Sequence, residues 1–220
     1  LHGRSIPLAS GIKIANEALN VFAFTGDGDC LAEGGNHFVH AARRNQDITV
    51  VLHDNAVYGL TTGQTSPRSP CGYKSKSTPF GNPDEPVHPL RLALAAGATF
   101  LARVSSADIT MLIDVIIKAN KHKGFSVIQI LQPCTTFNKE YTNKYYQENT
   151  YKLDNGYNPK DKELAFAKLL EWGTGKIPVG IIYQSDKPSC EGQTLILQKS
   201  ILATSLTKKR NISESLKSYC

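Results

Sequence analysis

The sequence predicts an α/β fold built on a doubly wound, mostly parallel sheet, and three observations carry that prediction. Short continuous apolar runs, which strands buried on both faces require, recur along the chain. Segments with helical spacing of apolar residues separate them. The first two runs end in polar turns rich in Gly, Asp and Asn, at the strand ends where ligands collect in such sheets.

The first run covers residues 21–25 and the second 48–52. Between them, Phe38, Val39, Ala41 and Ala42 give a helix with one apolar face. It ends in Arg43-Arg44, where positive charge complements a helix C-terminus. A longer helix is expected over 107–120. Ser105 with Asp108 forms a start resembling a capping box, and Ile109, Leu112, Ile113 and Ile116 make its stripe. Strand 125–131, helix 162–172 and strand 179–183 follow. Right-handed crossovers then place the strand C-termini on one edge. Residues 54–89 show neither periodicity, and loops of that length inside compact domains are usually functional or disordered. The domain is therefore drawn over 1–183, with 184–220 a polar tail that wraps the surface or meets another subunit. The loop from Thr65 to Pro89 is placed to close over a site at the strand ends.

Composition narrows the functional classes. The 220 residues carry a formal charge of +6, but the basic residues are dispersed and lack interleaved aromatics, so nucleic acid is not the expected partner. No apolar run approaches the ~18 residues of a membrane span. Cysteines stand at 30, 71, 134, 190 and 220, an odd set without a C-x-x-C pair, which suits a reducing cytoplasmic setting.

Gly26-Asp27-Gly28-Asp29 follows the first strand directly. Glycines permit close backbone approach to a ligand, and carboxylates at a strand end suit a hard cation such as Mg²⁺. On its own such a motif is more often an ordinary turn. The second strand ends in His53-Asp54-Asn55-Ala56-Val57, with Asn55 lying 28 positions beyond Asp27. That spacing is one strand–helix–strand crossover, which returns Asn55 to the edge that holds Asp27. Asp27, the Asn55 side-chain carbonyl and the Val57 backbone carbonyl then form a set of oxygen ligands for Mg²⁺, with diphosphate and water completing the shell. Metal-dependent phosphoryl transfer is a rival reading, although no Lys or Arg follows the turn to clamp a phosphate.

The pairing of Gly-Asp-Gly with a later Asn resembles the thiamine diphosphate motif. Further blocks run in order: Gly34-Gly35-Asn36-His37, Arg43-Arg44-Asn45, Tyr58-Gly59-Leu60-Thr61-Thr62-Gly63-Gln64, Ser66-Pro67 and Pro133-Cys134-Thr135-Thr136-Phe137-Asn138. Together they resemble the β subunit of 2-oxoacid:ferredoxin oxidoreductases, from the start of the chain to about Asn138. The resemblance implies oxidative decarboxylation of a 2-oxoacid, with the acyl group passing to coenzyme A and electrons to ferredoxin. It implies that Asp27, Asn55 and Val57 bind Mg²⁺, and that Gly28, Asp29, Gly59 and Leu60 contact the diphosphate. His2 matches a histidine touching thiamine diphosphate, and Cys134 the last of four [4Fe–4S] cluster ligands. In the family the other three cluster cysteines precede the segment present here. An α or fused α/γ partner subunit, which supplies the glutamate near the aminopyrimidine, is implied as well. Thr62 stands where many relatives carry Lys. Other thiamine diphosphate enzymes, or a truncated remnant that binds only cofactor or partner, are the alternative readings.

Overall fold

The computed structural model describes residues 2–172 and 175–193. Most of the expected tail, 194–220, lies outside the described residues. The strands are β1 (Phe22–Gly26), β2 (Thr49–Asp54), β3 (Phe100–Ser105), β4 (Ser126–Leu131), β5 (Thr150–Lys152) and β6 (Ile177–Gln184). They form one sheet in the order β1-β2-β4-β3-β6-β5. Strands β1 to β4 are mutually parallel, and their C-termini share one edge. β6 runs antiparallel to β3 and parallel to β5, so the expectation of a single common edge holds for β1 to β4 only. The reason lies after β4. There the chain stays at the C-terminal edge through helix α5 (Asn143–Asn149) and enters the sheet again from that edge as β5. The crossover through α6 (Lys162–Leu170) then delivers β6 in the same reversed sense.

Alternation along the strands separates two cores. On one face Ala23, Val50, Leu52, Leu101 and Val127 pack against α1 (Ser5–Ala15), α2 (Gly35–Arg44), α3 (Pro89–Ala96) and α6. On the other face Val51, Ala102, Val104, Ile128 and Ile130 pack under α4 (Ile109–Lys121). Two features of α4 differ from expectation. Its cap is Asp108, which accepts from Met111 N at 3.0 Å, while Ser105 closes β3. Its buried stripe is Leu112, Val115, Ile116 and Ala119, so Ile109 and Ile113 are 57% and 54% exposed on a neighbouring apolar stripe.

Between β2 and α3 no regular element forms, as the sequence indicates. The segment is nonetheless folded onto the domain. Gly72 and Asn82 close a loop through Gly72 N to Asn82 O and Asn82 N to Tyr73 O, both 2.8 Å. Arg68 and Ser69 within it are buried.

Candidate functional site

The register of β1 on β2 pairs Gly26 with His53. Asp27 and Asp54 therefore leave adjacent parallel strands side by side, and Asn55 follows one residue beyond. Asp27 is 2% exposed. Burial pushes its carboxyl up to about 7, the neighbouring Asp54 pushes the same way, and the Ser66 hydroxyl and Arg68 pull it down. Ser66 Oγ donates to Asp27 Oδ2. Asp54 Oδ2 accepts from Arg68 Nε at 2.8 Å and from Gln129 Nε2 at 2.6 Å. Among the described residues Asp27 has no ion-pair partner, and Arg68, the cation acting on it, is held by Asp54.

The turn after β2 is fixed from within. Asn55 Oδ1 accepts from Val57 N at 3.1 Å, and Ala56 takes a left-handed conformation with φ 56°. From the facing loop, Asn138 Nδ2 donates to the Asn55 carbonyl at 2.9 Å. The donors of Asp27, Asn55 and Val57 are thus all hard oxygens in a pinned arrangement. A buried carboxylate without its own cation is the electrostatic situation that a divalent hard cation relieves, so these residues fit Mg²⁺.

The remaining expected residues surround this turn. A Cβ on Gly28 would collide with Cε1 of Tyr58, so the tyrosine ring rests directly on the glycine. Tyr58 Oη donates to both carboxylate oxygens of Glu33 at 3.3 Å. Asp29 lies nearby, with its oxygens occupied by the chain start and by Thr25 of β1. Its Oδ1 accepts from Gly3 N at 2.5 Å, and its Oδ2 from Thr25 Oγ1 at 2.5 Å and Ser5 Oγ at 3.5 Å. His2 Nδ1 sits 3.4 Å from Asp29 and 3.5 Å from Glu33, with its ring 6.2 Å from that of Tyr58. A widened helical turn over Asp29–Glu33 sets these two carboxylates on one side.

Gly59 begins a tight hairpin closed by Tyr58 N to Gln64 O at 3.0 Å and Gly63 N to Tyr58 O at 2.8 Å. A Cβ on Gly59 would lie 3.8 Å from Asn55 Nδ2 and 4.0 Å from Cys134 Sγ. Leu60, at the hairpin tip, is 97% exposed. Cys134 Sγ accepts from Phe137 N at 3.4 Å. Burial raises its thiol pKa, but the backbone N–H groups of Phe137, Asn138 and Thr136 outweigh it and hold the thiol below its ordinary value. Cys30 is buried and pushed the other way by its desolvation. Among the described residues no three His, Cys, Asp or Glu side chains converge on a common point.

His2, Asp27, Gly28, Asp29, Asn55, Val57, Gly59, Leu60 and Cys134 thus occupy one end of the sheet, built from four separate stretches of chain. From the sequence alone no role follows for Ser66, Arg68, Asn138, Gln129 or Glu33. A polar Gln129 between Ile128 and Ile130 of a buried strand is the available signal for the buried network.

Known proteins resemble this chain in sequence and in fold. Residues 1–130 match the family model "Thiamine pyrophosphate enzyme, C-terminal TPP binding domain". Residues 134–199 match the family model for the C-terminal part of the pyruvate ferredoxin oxidoreductase beta subunit. The β subunit of 2-oxoacid:ferredoxin oxidoreductase from Saccharolobus solfataricus is 44% identical over 206 residues, covering 89% of this chain and 67% of the relative. Its counterpart from a Sulfolobus species is 46% identical over 197 residues, covering 84% of this chain and 64% of the relative. The chain thus spans about two thirds of the length of these curated relatives. A solved 2-oxoglutarate:ferredoxin oxidoreductase from Magnetococcus marinus, with 2-oxoglutarate, coenzyme A and succinyl-CoA bound, superposes with a TM-score of 0.87 at 33% identity. That match covers 98% of this chain and 74% of the other. With sequence identity, family models and fold in agreement, the chain belongs to the family of 2-oxoacid:ferredoxin oxidoreductase β subunits.

Proposed function

We propose that this chain is the thiamine diphosphate- and Mg²⁺-binding subunit of an enzyme that oxidatively decarboxylates 2-oxoacids to acyl-CoA and CO₂, with ferredoxin as electron acceptor. The observation that carries the reading is the buried Asp27 carboxylate, without a cation of its own, beside the pinned Asn55–Val57 turn. Asp27, Asn55 and the Val57 carbonyl would hold Mg²⁺, with Gly28, Asp29, Gly59, Leu60 and His2 around the diphosphate. Bound thiamine diphosphate supplies the electron sink that lets CO₂ leave a 2-oxoacid. The protein's part is to anchor, orient and shield. Asp29 ties down the segment carrying His2 through Gly3 N and Ser5 Oγ. Tyr58 walls the glycine turn, and Glu33 holds its hydroxyl. Three backbone N–H groups favour a thiolate at Cys134, which would suit one ligand of an iron–sulfur cluster.

The proposal includes a companion subunit and a cytoplasmic location. No helix among the described residues is long and apolar enough to cross a membrane. The test is reduction of ferredoxin by the chain with its companion subunit, given a 2-oxoacid and coenzyme A. Activity should require both polypeptides. Robust 2-oxoacid oxidation by this chain alone would contradict the two-subunit reading.

A further inference from the structure

Four consecutive residues, Ser66-Pro67-Arg68-Ser69, touch every strand end that contributes to the candidate metal site. Ser66 Oγ donates to Asp27 Oδ2, beyond β1. Arg68 Nε donates to Asp54 Oδ2, at the end of β2, at 2.8 Å. Ser69 Oγ donates at 2.7 Å to the carbonyl of Ala56, the left-handed residue between Asn55 and Val57. The three contacts are themselves locked together. Ser66 Oγ accepts from Arg68 N at 3.1 Å, and Ser66 N donates to Ser69 Oγ at 2.9 Å. All three side chains are buried.

The clasp is anchored below the site. Gln129, on β4, gives its amide N–H to Asp54 Oδ2 at 2.6 Å and accepts from Arg103 Nε, on β3, at 2.9 Å. Both guanidinium groups stack on the indole of Trp172, Arg68 at 4.6 Å and Arg103 at 4.8 Å from the ring centroid. Arg68 Nη1 also donates to the carbonyl of Val87 at 2.8 Å, near the start of α3. A planar guanidinium, stacked and bonded on two sides, has little freedom to let Asp54 drift.

The geometry points to Ser66, Arg68 and Ser69 as positioning residues that hold Asp27 and the Asn55–Val57 turn in register for a divalent cation. This inference rests on the Mg²⁺ site proposed above and adds the groups that set its shape. Neither serine lends a charge, and Arg68 is engaged by Asp54, so their effect reaches the cation through the oxygens they orient. Outer partners that orient metal ligands typically change metal affinity by about 10- to 100-fold when removed.

The test is calorimetric titration of Mg²⁺ into the enzyme assembled with its companion subunit, in saturating thiamine diphosphate. Ser66→Ala and Arg68→Met should each weaken Mg²⁺ binding by about 10-fold or more at unchanged stoichiometry. Ser66→Thr, which keeps the hydroxyl, should stay within about threefold of wild type, whereas a loss equal to that of Ser66→Ala would contradict the role of the hydroxyl. Wild-type affinity in both Ser66→Ala and Arg68→Met would overturn the inference. So would a fall in stoichiometry with unchanged affinity, which marks damage to the fold instead of loss of positioning. Should Arg68→Met fail to fold, as judged by circular dichroism, Ser66→Ala decides alone. Absence of Mg²⁺ binding in the wild type would overturn the site itself, a distinct failure.

Discussion

Asp27 carries an electrostatic penalty in the metal-free chain. Its carboxyl is raised from 3.8 to about 7 by burial, with Asp54 beside it adding to the shift. The native state therefore binds more protons than the unfolded state between those values, and metal-free stability falls as pH rises through that window. The penalty is full above pH 7, where Asp27→Asn removes the charge without changing the shape. In chelator at pH 8 that variant should be more stable than wild type by about 1 kcal/mol or more, read by urea denaturation. It should also lose the stabilisation that Mg²⁺ with thiamine diphosphate gives the wild type. Equal stability of the two proteins at pH 8 would show that the buried charge is already compensated. Gly28 presents a steric counterpart. A methyl group there collides with the Tyr58 ring, so Gly28→Ala should displace the ring at a cost of about 1–3 kcal/mol. Adding Tyr58→Ala should recover part of that loss, and a double-mutant cycle that is strictly additive would contradict the contact.

At the scale of elements, caps and turns decide outcomes that apolar periodicity alone does not. Asp108 caps α4 through Met111 N, so Asp108→Ala should lower stability by about 1 kcal/mol, visible as a lower Tm. Ser105→Ala, at the cap position the sequence suggests, should cost less. In the 58–64 hairpin Thr62 holds φ at 81°, a conformation costly for a β-branched residue. Thr62→Gly should raise stability by about 1 kcal/mol in the same assay. β1, β2 and β4 are legible from sequence because their central runs carry no charged residue; β2 and β4 are buried on both faces, whereas β1, at the sheet edge, leaves Phe24 exposed. β3 is not, because Arg103 interrupts its run and finds its partners only in the folded state, in Gln129, the Pro178 carbonyl and Trp172. α1 is obscured by Gly11 and by the outward-facing Leu8 and Ile12. The α4 stripe reads one face too wide in sequence because Ile109 and Ile113 look like core residues and lie beside the core instead. The reversed sense of β6 depends on where α5 and β5 leave the chain, which local periodicity does not encode.

For the whole molecule, parallel pairing explains why a site of widely spaced residues can be read from sequence at all. One crossover fixes Asn55 beside Asp27, and the β1–β2 register makes that placement nearly unavoidable. The groups that hold those ligands, Ser66, Arg68, Ser69 and Asn138, come from loops whose path follows no periodic rule. Their roles emerge only from the folded contacts. In the proposed function, Asp27 and the Asn55–Val57 turn would anchor thiamine diphosphate through Mg²⁺. Calorimetric titration of thiamine diphosphate into the assembled enzyme, with Mg²⁺ and in chelator, tests it directly. Binding should be saturable, require Mg²⁺ and weaken at least ~100-fold in Asp27→Ala. Equal affinity in chelator, or wild-type affinity in Asp27→Ala, would contradict it.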